Sequence, residues 1–111
     1  MIRFSLQVTI PLGKKNEIVK TFHQIFGYMR VQPGCIQYNL YTSTENDDAL
    51  LIIEEWNTLS GLEKHILSDE FKIILAVIDM AVEEPIIRID TKPMHQGMEF
   101  IKSVRKSNKT I

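Results

Sequence analysis

At 111 residues the chain has the length of one domain, enough to bury about two thirds of its unfolded surface around a single core. Its 44% hydrophobic and 24% charged residues exclude wholesale disorder, and a formal net charge of -1 gives no electrostatic reason to expect nucleic acid as a partner. The lone Cys35 excludes an intrachain disulfide, and no apolar run approaches the roughly 20 residues that span a bilayer, so a cytoplasmic protein without a membrane partner is expected.

Phe4, Leu6, Val8 and Ile10 alternate with Arg3, Ser5, Gln7 and Thr9. That is the period of a strand with one buried face, not the continuous apolar core of a signal peptide. Pro11 and Gly13 end it. From about Asn16 the apolar positions become Ile18, Phe22, Ile25, Phe26 and Met29, the spacing of an amphipathic helix, which Pro33-Gly34 stops. A second strand is predicted from Cys35 to about Tyr41, and Asn46-Asp47-Asp48 favours a turn because those side chains bond local backbone.

The hairpin partner is Ala49 to Trp56. Its Leu50-Leu51-Ile52-Ile53 run is apolar on both faces, so this strand is expected in the middle of a sheet with cover on each side. Ser60 with Glu63 fits a capping box ahead of Leu62, Ile66 and Leu67, and Ser68-Asp69 offers a second cap before Phe71, Ile74, Leu75 and Ile78. Pro85 leads into a strand over residues 86–91 that belongs near an edge, because Pro cannot donate a ladder hydrogen bond. A folded domain over residues 1–92 and a tail over 93–111 are therefore expected. The tail's Met98, Phe100, Ile101 and Val104 are free to dock on the body or on a partner subunit, and its end from Lys106 to Ile111 should fray. Residues 99–111 carry +3 and residues 1–98 carry -4.

The order β-α-β-β-α-β is the split unit of a ferredoxin-like α+β fold, a four-stranded antiparallel sheet with its helices on one face. An apolar face left open on the other side of that sheet is best covered by a second copy, so a homodimer with the two sheets face to face is expected.

Trp56 shares strand parity with Ile52 and Glu54. Its indole could stack on a planar substrate, or it could simply fill the core. Glu54 beside it is a proton acceptor among apolar neighbours, or a structural acceptor for a helix terminus or a cation. His65 at the margin of its helix stripe could move a phenolic proton, or it could be a packing histidine bonded to Asp69 one turn away. Tyr38 and Tyr41 lie on opposite faces of their strand, so only one reaches the helix side. Cys35 has no activating neighbour and reads as a small buried residue. His23 and His95 have weaker claims, no histidine pair has metal-ligand spacing, and Gly13-Lys14-Lys15 lacks the other glycine of a phosphate loop.

The motif Gly34-Cys35-x-x-Tyr38, then Glu54-x-Trp56 at the end of the hairpin, then His65 nine residues on and Phe71 six beyond it, resembles the antibiotic biosynthesis monooxygenase family of dimeric α+β barrel proteins. The resemblance covers about residues 2–90. It implies a homodimer with one pocket per subunit between sheet and helices. Several members oxidise aromatic polyketides or quinols with O₂ and without metal, flavin or haem; others isomerise or break down small signal molecules, or degrade haem. The haem-degrading members carry an iron-ligating histidine shortly after a Phe-Lys pair, whereas Phe71-Lys72 is followed here by Ile73, Ile74 and Leu75.

The resemblance thus implies a cofactor-independent oxygenase of a small aromatic or quinol substrate, with His65 or Glu54 as base, Trp56 and Phe71 as apolar walls and Tyr38 as a polar orienter. The alternatives are an isomerase or lyase of a small oxygenated metabolite, and a non-catalytic ligand-binding dimer.

Overall fold

The computed structural model describes residues 1–91 and 97–109. In chain order it contains β1 (Ile2–Thr9), α1 (Lys15–Arg30), β2 (Cys35–Thr42), β3 (Ala49–Trp56), α2 (Leu59–Ile66), α3 (Phe71–Met80), β4 (Ile86–Thr91) and α4 (Gly97–Lys109). The strands form one antiparallel sheet in the order β2-β3-β1-β4. This is the ferredoxin-like arrangement that the alternation of periods predicts, with the all-apolar β3 inside the sheet and β4 at its edge.

The core follows from parity. Ile2, Phe4, Leu6 and Val8 of β1 and Leu50, Ile52, Glu54 and Trp56 of β3 point to the helix side and are buried. Ile18, Phe22 and Met29 of α1, Leu62 of α2 and Phe71, Ile74 and Val77 of α3 close over them. Burying such side chains is worth about 1.5–3 kcal/mol each. On the other face Leu51 and Ile53 are only half-buried, between Ser5 and Gln7 on one side and Asn39 and Tyr41 on the other. That face is more polar than the four-residue apolar run of β3 predicts, because its neighbours supply hydroxyl and amide side chains.

Several local expectations need correction. The cap of α2 is Thr58, not Ser60: Thr58 is extended (φ -136°, ψ 156°) and its hydroxyl accepts the Gly61 N–H, while Ser60 lies inside the first turn. Ser68-Asp69 does not cap α3, whose N-terminal flank Glu70 makes no side-chain cap bond. The Ser68 hydroxyl instead donates back to the His65 carbonyl at 2.6 Å, closing the end of α2. Asp69 pairs with Lys72 at 3.3 Å and not with His65. Lys106 to Lys109 continue α4 where fraying is expected. His95 and the boundary between residues 92 and 93 lie outside the described residues.

Two features fix β2 against the rest. Arg30, in the last turn of α1, donates through Nε to the Tyr38 carbonyl and through a terminal nitrogen to Asn39 Oδ1, with its guanidinium 4.5 Å from the Phe26 ring centroid. Between Cys35 and Gln37 the register against β3 shifts by one residue, so that Cys35 lies opposite Trp56 and Tyr38 opposite Glu54. In an unbulged strand, residues three apart would face opposite sides; the extra residue turns both toward the helices. Gly34 (φ +82°) makes the preceding turn in a left-handed conformation that other residues rarely adopt.

α4 stands away from this core. Phe100, Ile101 and Val104 share one side of it, and all are exposed. On edge strand β4, Ile87 and Ile89 lie opposite Leu6 and Phe4 and so face the helix side, yet they are 46% and 52% exposed.

Candidate active site

Strand β3 ends by placing Glu54 and Trp56 two residues apart on the same face, and α2 returns over them carrying His65. Glu54 is fully buried. Trp56 Nε1 donates to Glu54 Oε1 at 3.0 Å, and His65 Nε2 lies 3.2 Å from each carboxylate oxygen. An indole N–H can only donate, so the carboxylate accepts from it; with the second oxygen also an acceptor, His65 Nε2 carries the proton and Nδ1 presents its lone pair. That Nδ1 atom is buried and has no hydrogen-bond partner among the described residues, and the same holds for the Tyr38 hydroxyl.

Three aromatic rings fix the imidazole. Trp56 stacks on it at 5.1 Å between centroids and 28° between planes, while Tyr38 (5.7 Å) and Phe71 (5.3 Å) meet it edge-on, each at 86°. Phe71 is in turn edge-on to Phe4 of β1. The structure thus brings Glu54, Trp56, His65, Tyr38 and Phe71 into one cluster. Burial, followed by the charges of Glu54 and then Cys35, holds the Tyr38 phenol well above its ordinary pKa, so it stays neutral and can serve only as a hydroxyl. Burial and then Glu54 also raise the Cys35 thiol, which disfavours the reactive thiolate. His23 is on the exposed side of α1, edge-on to Phe26 and away from this cluster.

A cavity of about 190 Å³ opens beside the cluster. One wall is a flank of α2 and the turn after it, Gly61, Lys64, His65 and Ser68, at the i, i+3, i+4, i+7 spacing that shares one side of a helix. The facing wall is Tyr28, Met29, Gln32 and Pro33 from the end of α1 and its turn, with Trp56 and Glu70 completing the lining. His65 and Trp56 therefore border the cavity, while Glu54, Tyr38 and Phe71 are not among its lining residues and support His65 from behind. Sequence reasoning missed the α1 wall: Met29 belongs to an ordinary apolar stripe, and Tyr28 and Gln32 carry no local signal. Gly61 and Lys64 could have been found, since they stand four and one residues before His65. Among the described residues no three His, Cys, Asp or Glu side chains are grouped to hold a metal ion, and no helix is long and apolar enough to cross a membrane.

Comparison with known proteins places this geometry. The sequence profile of the family described as Antibiotic biosynthesis monooxygenase matches residues 1–76. A conserved protein from Methanosarcina mazei Go1 superposes with a TM-score of 0.73 at 29% identity, over 83% of this chain and 92% of that one. SnoaB, a cofactor-independent oxygenase from Streptomyces nogalater, superposes with a TM-score of 0.70 over 86% of this chain and 95% of that one; at 16% identity it is a likeness of fold. Over 64 residues the sequence is 27% identical to an uncharacterised protein of Synechocystis sp., a match that spans 58% of this chain and 44% of that protein, less than half its length.

Proposed function

Because the chain belongs to the antibiotic biosynthesis monooxygenase family, we propose that it oxygenates a small aromatic or quinol substrate with O₂, without a cofactor, in the cavity beside His65. The observation that carries this is the state of one imidazole: Nε2 is tied to a buried carboxylate and Nδ1 is unpartnered. A carboxylate that fixes the tautomer leaves the other nitrogen's lone pair free to act as a general base, and such a base contributes about 10²–10⁴-fold.

His65 Nδ1 takes the phenolic proton. The resulting phenolate is electron-rich enough to reduce O₂ directly, so the protein needs only to form it, hold it beside O₂ and exclude water. For a quinol the atoms and electrons balance without an external reductant: one oxygen atom enters the ring, the other leaves as water, and the product is a hydroxyquinone. Glu54 positions His65, Trp56 positions Glu54 and walls the cavity, and Phe71 and the neutral Tyr38 close the box.

The functional unit in this proposal is a homodimer, cytoplasmic, with the 93–111 tail reaching the partner. Support comes from the apolar side of α4, the open helix side of β4, and the +3 of residues 99–111 against the -4 of residues 1–98.

The test is oxygen uptake by the purified protein with hydroquinones and phenols, corrected for autoxidation. Uptake that His65→Gln abolishes is expected; uptake that His65→Gln leaves unchanged overturns the assignment of the base. Proton exchange at substrate carbon without oxygen consumption would mark an isomerase or lyase instead.

A further inference from the structure

The cavity limits what His65 can act on. An apolar cavity of about 150 Å³ holds benzene, whereas pockets for drug-sized ligands run to about 300–1,000 Å³. At about 190 Å³ the space here suits one six-membered ring with small substituents, and a fused polycycle exceeds it. Gly61 lines it next to the indole. A Cβ there would stand 3.4 Å from Trp56 Cε3 and 3.5 Å from Thr58 Oγ1, so any longer side chain would lie over the indole.

The polar lining is two-signed. Lys64 is a cation with no ion pair among the described residues, on the same flank of α2 as Gly61 and His65. Glu70 lines the cavity from the α2–α3 turn, also with no ion pair among the described residues. A ligand that is only anionic would be repelled by Glu70, and one that is only a hydroxylic donor would leave Lys64 unused. A ring that carries both a carboxylate and hydroxyls satisfies both. Resting on the catalytic reading of His65 above, we propose that the substrate is a single-ring hydroxylated aromatic acid, its carboxylate held by Lys64, one hydroxyl given to His65 and another to Glu70.

Trp56 is the only tryptophan in the chain, so its fluorescence reports occupancy of the cavity directly. Binding is measured without oxygen, so that no turnover occurs, using gentisate, unsubstituted hydroquinone and naphthohydroquinone. Gentisate should bind about three- to fivefold more tightly than hydroquinone, the range an exposed ion pair supports. Lys64→Met should remove that advantage while leaving hydroquinone unchanged, and naphthohydroquinone should bind more weakly than either. Gly61→Leu should block all three, with circular dichroism confirming its fold.

Naphthohydroquinone binding as tightly as hydroquinone would overturn the size limit. Loss of both single-ring ligands together, or of neither, in Lys64→Met would overturn the anchor, and no quenching by gentisate would overturn the substrate class. Oxygen uptake separates the two readings: gentisate bound with no uptake from any quinol or phenol sinks the oxygenase reading alone, and uptake with polycyclic quinols alone sinks this inference and leaves that reading standing.

Discussion

Trp56 and His65 stack face to face at 5.1 Å while both reach the carboxylate of Glu54. The stacking and the shared acceptor together leave the imidazole one position and one tautomer. Glu54→Leu leaves two buried N–H donors without an acceptor, at about 1–3 kcal/mol each. A stability loss of about 2–6 kcal/mol in urea denaturation is expected. Glu54→Gln keeps the shape and one acceptor, and should lose less stability but still about 10²-fold in oxygen uptake, because His65 is no longer held as a base. A Glu54→Gln protein with unchanged uptake would show that the carboxylate does not act through His65.

The tautomer itself is measurable. Nitrogen chemical shifts of His65 should show a protonated Nε2 and an unprotonated Nδ1 at neutral pH in the free protein, and the two should approach each other in Glu54→Gln. The opposite tautomer would remove Nδ1 as the base.

Tyr38 supplies a pH prediction. Its phenol is raised above the ordinary value of 10.0, chiefly by burial, so the folded state keeps the proton that the unfolded state loses. The contribution is fully present below pH 10 and declines as pH rises above it, since only the unfolded chain gains by ionising. Tyr38→Phe should flatten this alkaline loss. At neutral pH it should cost little, because the buried hydroxyl it removes has no partner among the described residues. Thermal melts of both proteins between pH 7 and about 11 decide the matter; parallel curves would mean that Tyr38 does not titrate as described.

The strands were legible because their apolar residues alternate, and Glu54 beside Trp56 was legible because residues two apart share a face. The bond from His65 to Glu54 was not. It joins residues 11 apart in sequence across the β3–α2 turn, and depends on how α2 lies over the sheet, which no spacing fixes. The same holds for the bulge at Ile36, which aims Cys35 and Tyr38 at one side without any glycine or proline inside the strand to announce it. The cavity was hidden for a third reason: its far wall comes from the end of α1, whose Tyr28 and Gln32 look like ordinary surface residues until the fold brings them opposite α2.

The cap of α2 separates two hydroxyls two residues apart. Thr58→Ala removes the acceptor of the Gly61 N–H and should cost about 1 kcal/mol. Ser60→Ala, inside the first turn, should leave stability unchanged within the error of the measurement. Equal costs for the two variants would mean that the helix starts later than Leu59.

Helix α4 keeps an apolar side open to solvent. A 13-residue helix whose Phe100, Ile101 and Val104 are exposed gains little from its own propensity, since isolated helices of about 12–15 residues are marginal in water. Its stability must therefore come from a surface that covers that side. Edge strand β4 offers such a surface in Ile87 and Ile89, and the opposite charges of tail and body favour its approach. If that surface belongs to a second copy, sedimentation at micromolar concentration gives twice the chain mass, and removal of residues 92–111 weakens the dimer. Raising the salt concentration should also weaken the full-length dimer, because part of the attraction is between charges exposed to solvent. A monomer mass for the full chain would refute the dimer, and a truncated protein that dimerises as tightly would confine the interface to the sheet and leave α4 outside it.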